Sequence, residues 1–409
     1  MKIYISGYGA ITSLGNTPNE MFSSLLENRT AVRKISAWDK IKGLNCRLGA
    51  PAMTYSSAGL PRTARRTMSP MSEMAALATQ QAFEHAGLKM ETLDFSRSLL
   101  SMGSTTGSPI GLEDYFQKIQ DNNGVQNQSG TAFFKIMNHS VASNVAVALG
   151  FNGALISPSS ACATSAQAAI IGWELIRSGL YDIAICGGAD EMHYLSAAVF
   201  DSVYAASRGY HDDPTATPRP FDQRRDGLVV SEGASVVILE NEASLAKRGG
   251  KALGEFCGGA YLCESSHMSQ SNELQMHKVM TLALQKSGVK KDQIEYVSAH
   301  ATGTLQGDAA EAAAIGGVFG NQVPVSSLKA HFGHSMAACG TQELITTLMM
   351  MNEGVQIGTR NLEEVAPECS QVMHLQNNRN VNTNLALSNN FAFGGINTSF
   401  VLKKVGAAE

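Results

Sequence analysis

The stretch Ala154-Leu-Ile-Ser-Pro-Ser-Ser-Ala-Cys162-Ala-Thr-Ser-Ala-Gln-Ala-Ala-Ile-Ile-Gly-Trp-Glu-Leu-Ile176 reads as a short apolar strand, a turn of small residues around one cysteine, and a helix. Ala163, Thr164 and Ser165 open that helix, and Ala168, Ala169, Ile170 and Ile171 continue it. At such a helix start the unpaired N–H groups and the positive dipole end favour a thiolate, and small neighbours let the backbone approach a substrate carbonyl. Residue type alone would make Cys162 a buried structural cysteine. Its meaning therefore depends on what the rest of the chain brings to it.

Outward from this stretch, strands and helices alternate. Lys2 to Ser6 alternates apolar and polar residues and runs into Gly7-Tyr-Gly9. Thr17-Pro-Asn-Glu20 has the form of a capping box and predicts a helix over 17–27. A second helix is expected from Ser69 to His85, closed by Gly87, and a strand from Ser98 to Met102. His139 to Leu149 reads as a short buried helix, and Asp182 to Cys186 as an apolar strand ending at Gly187-Gly188. This spacing predicts a mainly parallel sheet with helices on its faces. Leu228 to Leu239 reads as two strands around Glu232-Gly233, with a helix over 243–250 ending the first half.

The second half repeats the first in outline. Strands are expected at 252–262 and 294–299, and helices at 272–286 and 308–319. Val323-Pro-Val-Ser-Ser-Leu-Lys329 then enters a helix of small residues from Ser335 to Met351, mirroring the strand, turn and helix around Cys162. Gly233 to Leu239 echoes Gly395 to Leu402, each read as the return strand of a terminal hairpin. Such a duplication would bring Cys162 and the 329–334 loop to one central site.

Composition narrows the function classes. A chain of 409 residues, 44% apolar and with net charge −4, has a large core and no basic tract that would suit nucleic acid or an anionic membrane. Arg62-Thr-Ala-Arg65-Arg66 is the densest basic stretch, read as a solvated loop that a small acidic carrier protein would suit. The seven cysteines are odd in number and lack CxxC pairs, which argues against a disulfide framework and a structural zinc site. With no secretory segment and no apolar run of bilayer length, the expected location is the cytoplasm.

Three further segments place polar groups just beyond apolar strands. They are Tyr296-Val-Ser-Ala-His300-Ala-Thr302-Gly-Thr304, Leu328-Lys329-Ala-His331-Phe-Gly333-His334, and Asn389-Asn390-Phe391-Ala-Phe393-Gly394-Gly395-Ile-Asn397. One nucleophile, two imidazoles, a lysine and an aromatic, glycine-rich loop are the parts of covalent acyl chemistry. His331 is read as structural. Lys329 is expected to pair with a carboxylate, with Glu311 in the helix after His300 as its partner.

Together Ser159 to Ser165, the His300 loop, Lys329 with Gly333-His334, and Asn390 to Asn397 resemble the signature segments of the β-ketoacyl-acyl-carrier-protein synthases, elongating condensing enzymes of the thiolase-like superfamily. Pro220-Phe-Asp222, Arg225-Asp-Gly227 and Glu232-Gly-Ala234 extend the likeness, which runs from first strand to last. It implies an α/β thiolase-like fold: two pseudo-symmetric βαβαβαββ halves, 1–248 carrying the cysteine and 249–409 carrying the histidines, in a five-layer α-β-α-β-α sandwich. Cys162 would accept the acyl group, and His300 and His334 would hold the thioester oxygen of malonyl carrier protein. Backbone N–H groups of Cys162 and Phe393 would form an oxyanion hole. Lys329 and Glu311 would orient the histidines, and Thr302 and Thr304 would bind the phosphopantetheine arm of acyl carrier protein. Phe391 and Phe393 would complete the substrate site, with Phe393 as gate over the cysteine. The enzyme itself would need no bound cofactor or metal, and would work as a homodimer or beside a chain-length-factor-like subunit.

The sequence departs from the family pattern at Ala301 for glycine, Cys339 for alanine and Ile396 for threonine. These departures point toward specialised polyene or polyketide synthesis. A coenzyme A-dependent thiolase and a non-catalytic subunit are the other readings. Thiolases use a second cysteine late in the chain, and Cys339 and Cys369 do not sit in the glycine-rich loop that role requires.

Overall fold

The alternating start of the chain forms β1 (Ile3–Ile11), and Pro18–Leu26 follows as α1. The structure, a computed structural model, describes residues 1–406. Thr17 caps α1 by accepting the Glu20 N–H at 3.2 Å. The return bond of the capping box goes one residue upstream, from Asn16 N–H to Glu20 Oε2 at 2.8 Å. Helix α2 (Pro70–Ala86) ends at Gly87, whose φ of 63° supplies the left-handed cap.

The remaining strands of the main sheet are β2 (Ser98–Gly103), β3 (Ala154–Ile156), β4 (Ile183–Asp190), β5 (Gly233–Asn241), β6 (Gly254–Cys263), β7 (Tyr296–Ser298), β8 (Pro324–Ser326), β9 (Met373–His374), β10 (Leu385–Ala392) and β11 (Ile396–Lys403). Their order is β9-β8-β7-β10-β11-β6-β1-β5-β4-β2-β3. The run β3-β2-β4-β5-β1 has the same order and sense as β8-β7-β10-β11-β6, so one five-stranded pattern occurs twice. The two copies meet where Tyr4 pairs with Glu255 and Ile5 with Gly254.

This sheet is mixed, which corrects the mainly parallel expectation. In each copy the first three strands are parallel, and the fourth runs antiparallel to both of its neighbours. Helical crossovers force parallel neighbours only while they last. The path from β4 to β5 is largely irregular and β10 turns directly into β11, so β5 and β11 return antiparallel. β11 is the return strand of a hairpin as expected, but β5 is not. Val230–Ser231 before it pairs in parallel with Leu48–Ala50 in a separate three-stranded sheet.

β4 runs on through Gly187-Gly188 where the sequence suggested an end. A Cβ at these glycines would lie 2.4 Å from the Ser235 carbonyl and 2.3 Å from the Ala337 carbonyl, so they mark close backbone approach inside a strand.

Layers follow from the apolar faces. α2 and α3 (Ser140–Leu149) cover the first copy of the sheet, and α5 (Glu273–Ser287) and α6 (Leu305–Phe319) cover the second. Between them lie α4 (Thr164–Arg177) and α7 (Cys339–Glu353), each touching strands of both copies and each other. The five layers are therefore α-β-α-β-α. The central helices pack closely because their contact residues are small: a Cβ on Gly340 would sit 2.6 Å from the Ala166 nitrogen.

The duplication reaches the backbone angles. α4 is preceded by a tight 3₁₀ turn over Ala161–Ala163 and α7 by one over Met336–Ala338. Each turn begins with a non-glycine residue in the left-handed region, Ala161 at φ 45° and Met336 at φ 47°. No helix among the described residues is long and apolar enough to cross a membrane.

Candidate active site

Cys162 sits in the turn before α4, buried at the bottom of a pocket of about 70 Å³. Its own N–H and that of Phe393 are directed at its sulfur. Phe393 reaches it because the β10–β11 turn is built on Gly394 and Gly395, with φ of 87° and 75°; a Cβ on Gly395 would lie 2.0 Å from the Glu264 carbonyl. Phe393 packs its ring against Phe200 at 5.4 Å, and Phe391 lies 6.1 Å from the His300 ring.

His300 leaves the C-terminal end of β7. Glu311, on the following helix, accepts its N–H at 2.8 Å and that of Ala301 at 2.6 Å. Asp308 does the same for Thr302 and Gly303 at 3.0 and 3.1 Å. The two carboxylates of α6 thus fix the loop that carries imidazole and hydroxyls. Thr302 and Thr304 line the pocket, with 3.2 Å between their hydroxyls.

His334 is held by its backbone, donating to Val229 O at 2.8 Å and accepting from Ser231 N–H at 2.9 Å. Its Nδ1 accepts the Met336 N–H at 3.3 Å, made possible by the left-handed turn there. The neutral ring therefore carries its proton on Nε2, which has no partner among the described residues. His300 has no partner on Nδ1 among the described residues, so no bond from them at that nitrogen fixes its tautomer.

The donor atoms of Cys162, His300 and His334 lie within 4.8 Å of one another, and the two imidazole centroids are 5.4 Å apart. Burial lowers the pKa of both histidines well below the ordinary value, and the Lys329 charge lowers it further. Both rings are thus neutral at neutral pH. Burial acts the opposite way on Cys162 and pushes its thiol up to about 12, against the pull of Lys329 and the two N–H groups. The resting residue is a protonated thiol, which corrects the thiolate expected from the helix start: loss of hydration outweighs the dipole. A thiol and two imidazoles are also donors that a zinc-like ion accepts, but the Lys329 charge felt at all three works against a cation there.

Lys329 is fully buried beneath this group and outside the pocket lining. Its partner is Glu343 on α7, not Glu311 as expected. Burial lowers the ammonium pKa, but Glu343, together with Cys339 and Glu311, more than offsets this, so Lys329 is held charged. Glu311 is occupied with backbone N–H groups and Asn389, and burial raises it to about 8. Asn390 completes the set by donating to Glu343 Oε2 at 2.7 Å.

His331 faces away, its ring nitrogens 3.0 and 3.4 Å from the carbonyls of Arg29 and Gly358. Arg62–Arg65, expected as loop, forms a single helical turn because Ala64 is buried. Sequence reasoning missed Glu343 and Asp190. Asp190 ends β4 and accepts the N–H groups of Thr105 at 3.0 Å and Ala337 at 2.8 Å, tying the two halves together behind the site.

Comparison with known proteins gives a consistent result. Residues 1–244 match the family described as Beta-ketoacyl synthase, N-terminal domain, and residues 254–363 its C-terminal domain. The chain is 30% identical to 3-oxoacyl-[acyl-carrier-protein] synthase 1 of Haemophilus influenzae, over 98% of this chain and 99% of that one. A crystal structure of a β-ketoacyl synthase from Burkholderia phymatum superposes with a TM-score of 0.95 at 35% identity, covering 99% of both chains. The ishigamide ketosynthase/chain length factor superposes with a TM-score of 0.91 at 25% identity, again over 99% of both.

Proposed function

This chain belongs to the β-ketoacyl synthase family, and on that footing we propose that it extends an acyl chain by decarboxylative condensation of an acyl thioester, held on Cys162, with malonyl-acyl carrier protein. It is an acyltransferase. The observation that carries this reading is the meeting of one thiol and two neutral imidazoles within 4.8 Å, under two backbone N–H groups.

In the first half-reaction the Thr302 and Thr304 hydroxyls bind the phosphopantetheine arm, and the acyl carbonyl oxygen lies between the N–H groups of Cys162 and Phe393. The sulfur attacks the carbonyl, and its proton passes through His300 to the departing pantetheine thiolate. His300 is assigned this step because His334 Nδ1 is taken up by Met336. One thioester forms as another breaks, and the imidazole returns to neutral.

In the second half-reaction the Nε2–H groups of His300 and His334 hold the malonyl thioester oxygen. Carbon dioxide leaves, its bonding pair becomes the enolate, and the enolate carbon attacks the acyl-cysteine. A carbon–carbon bond forms, the carbon–sulfur bond breaks, and the thiolate takes up one proton from solvent, which balances the carboxylate charge lost with carbon dioxide. One donor aimed at such an oxyanion in a dry site contributes about 3–4 kcal/mol. Burial, reinforced by Lys329, keeps the imidazoles neutral, Glu311 positions His300, and Phe391 and Phe393 close the site. The halves 1–248 and 249–409 would supply thiol and imidazoles respectively. A cytoplasmic location accords with seven unpaired cysteines.

Intact-mass measurement tests this: acyl carrier protein should leave an acyl adduct on Cys162, absent in Cys162→Ala, and malonyl carrier protein should then release carbon dioxide and 3-oxoacyl product. An unmodified Cys162, or transfer to free coenzyme A with no malonyl donor, would overturn it. Likeness to the ishigamide ketosynthase/chain length factor favours a second reading, in which the chain is the catalytic subunit of a heterodimer. Condensation by the chain alone would exclude that.

A further inference from the structure

Cys339 has no part in the chemistry above, yet it touches the nucleophile's own peptide. It opens α7, is fully buried, and lies outside the pocket lining. Its sulfur is 3.0 Å from the Cys162 carbonyl oxygen, to which the S–H donates. Asn390 Nδ2 lies 3.6 Å behind that sulfur and also donates to Glu343, the partner of Lys329. A bonded series therefore runs from the buried ion pair through Asn390 and Cys339 to the backbone of Cys162.

The bonded carbonyl matters because of the turn it belongs to. Ala161, immediately before the nucleophile, is held at φ 45°, a conformation an alanine leaves readily unless its surroundings hold it. Anchoring the carbonyl of Cys162 fixes the 162–163 peptide on one side of its Cα, and the left-handed Ala161 leads into the 161–162 peptide on the other, which carries the Cys162 N–H. With the 162–163 peptide held, rotation about the Cys162 Cα is restrained, and with it the relation of the sulfur to the Cys162 N–H, one of the two donors directed at that sulfur.

We infer that Cys339 is a positioning residue for acyl transfer: its thiol, braced by Asn390, holds the Cys162 carbonyl and thereby restrains rotation at Cys162, keeping its N–H aligned with the tetrahedral oxyanion. The inference rests on the acyl-transfer role proposed for Cys162. Acyl transfer needs that N–H, because charge develops on the carbonyl oxygen; alkylation of the same sulfur by iodoacetamide develops no such charge there and does not. The two reactions thus separate aim from thiol reactivity and from folding.

The test uses the full chain and its Cys339→Ala and Cys339→Ser variants. Single-turnover acylation of Cys162 by acyl carrier protein is followed by intact mass, and iodoacetamide alkylation of Cys162 by peptide mass. Cys339→Ala is expected to slow acylation about threefold to tenfold, the range of one modest hydrogen bond transmitted to the oxyanion. Alkylation should stay within about twofold of the parent, and Cys339→Ser, which keeps a donor, should restore acylation. Acylation at the parent rate in Cys339→Ala would show that the thiol only fills space. Equal slowing of both reactions, or no rescue by serine, would equally overturn the inference. A parent chain that fails to acylate at all would instead refute the proposed function.

Discussion

His334 has its proton placed on Nε2 by a single backbone bond, whereas His300 has no such bond on its Nδ1. The proposed mechanism therefore asks different things of the two rings. His334→Ala should leave acyl loading of Cys162 within a few-fold of the parent and slow malonyl decarboxylation about a hundredfold or more, read as acyl adduct mass and carbon dioxide release. Loss of loading with decarboxylation preserved would reverse the assignment. The same residues predict the pH profile. A histidine is neutral above its pKa, and burial with Lys329 sets both pKa values well below the ordinary one, so the donors stay neutral as pH falls through 6.5. Decarboxylation should accordingly hold level from about pH 8 through the ordinary histidine range and fall only below it. An acid limb centred at or above 6.5 would contradict the neutral assignment.

At the scale of elements the site depends on how closely α4 and α7 approach, since one follows Cys162 and the other follows His334. Gly340 sets that distance, for any Cβ there meets the Ala166 nitrogen at 2.6 Å and its Cβ at 2.7 Å. Neither contact is the free end of a flexible side chain, so the helices themselves must separate. Gly340→Ala should cost about 1–3 kcal/mol in denaturant unfolding, the usual range for overpacking a dense core. It should also slow acyl loading, because the turn holding Cys162 moves with α4. Parent-like stability would mean that the central layer is more yielding than its packing suggests. The polar residues of α7 show why such a buried helix is tolerated. Thr341 is bonded to Ser235, Gln342 to Ser335, and Glu343 to Lys329 and Asn390, leaving these groups satisfied inside the sandwich.

For the whole molecule, the sheet is open, with β9 at one edge and β3 at the other. β3 is its last strand, with Leu155 exposed, and the neighbouring segments expose Phe116, Phe133 and Phe134. An uncovered strand edge beside exposed aromatic rings is a surface that a second subunit would cover. Sedimentation should show a dimer, and Phe134→Asp together with Leu155→Lys should shift it toward monomer. A monomeric parent chain would favour the heterodimer reading, with the missing face supplied by a different subunit.

What the sequence determined by itself is what short-range pattern can encode. Periodicity placed most elements within a few residues, and the strand, polar turn and small-residue helix around Cys162 were legible as such. His300, His334 and Lys329 stood out because each follows an apolar strand in a polar or glycine-bearing loop, where a side chain has no packing reason to be what it is. Glu343 and Asp190 gave no such signal, one inside a helix buried from Cys339 to Met351 and the other closing an apolar strand, so their chemistry was masked by their neighbours. The mixed sense of the sheet, the choice of Glu343 over Glu311 by Lys329, and the protonated state of Cys162 were decided by the tertiary structure alone. Each depends on which groups two separately patterned halves press together and on how much water that contact excludes, and neither quantity is written in the spacing of residues along one segment.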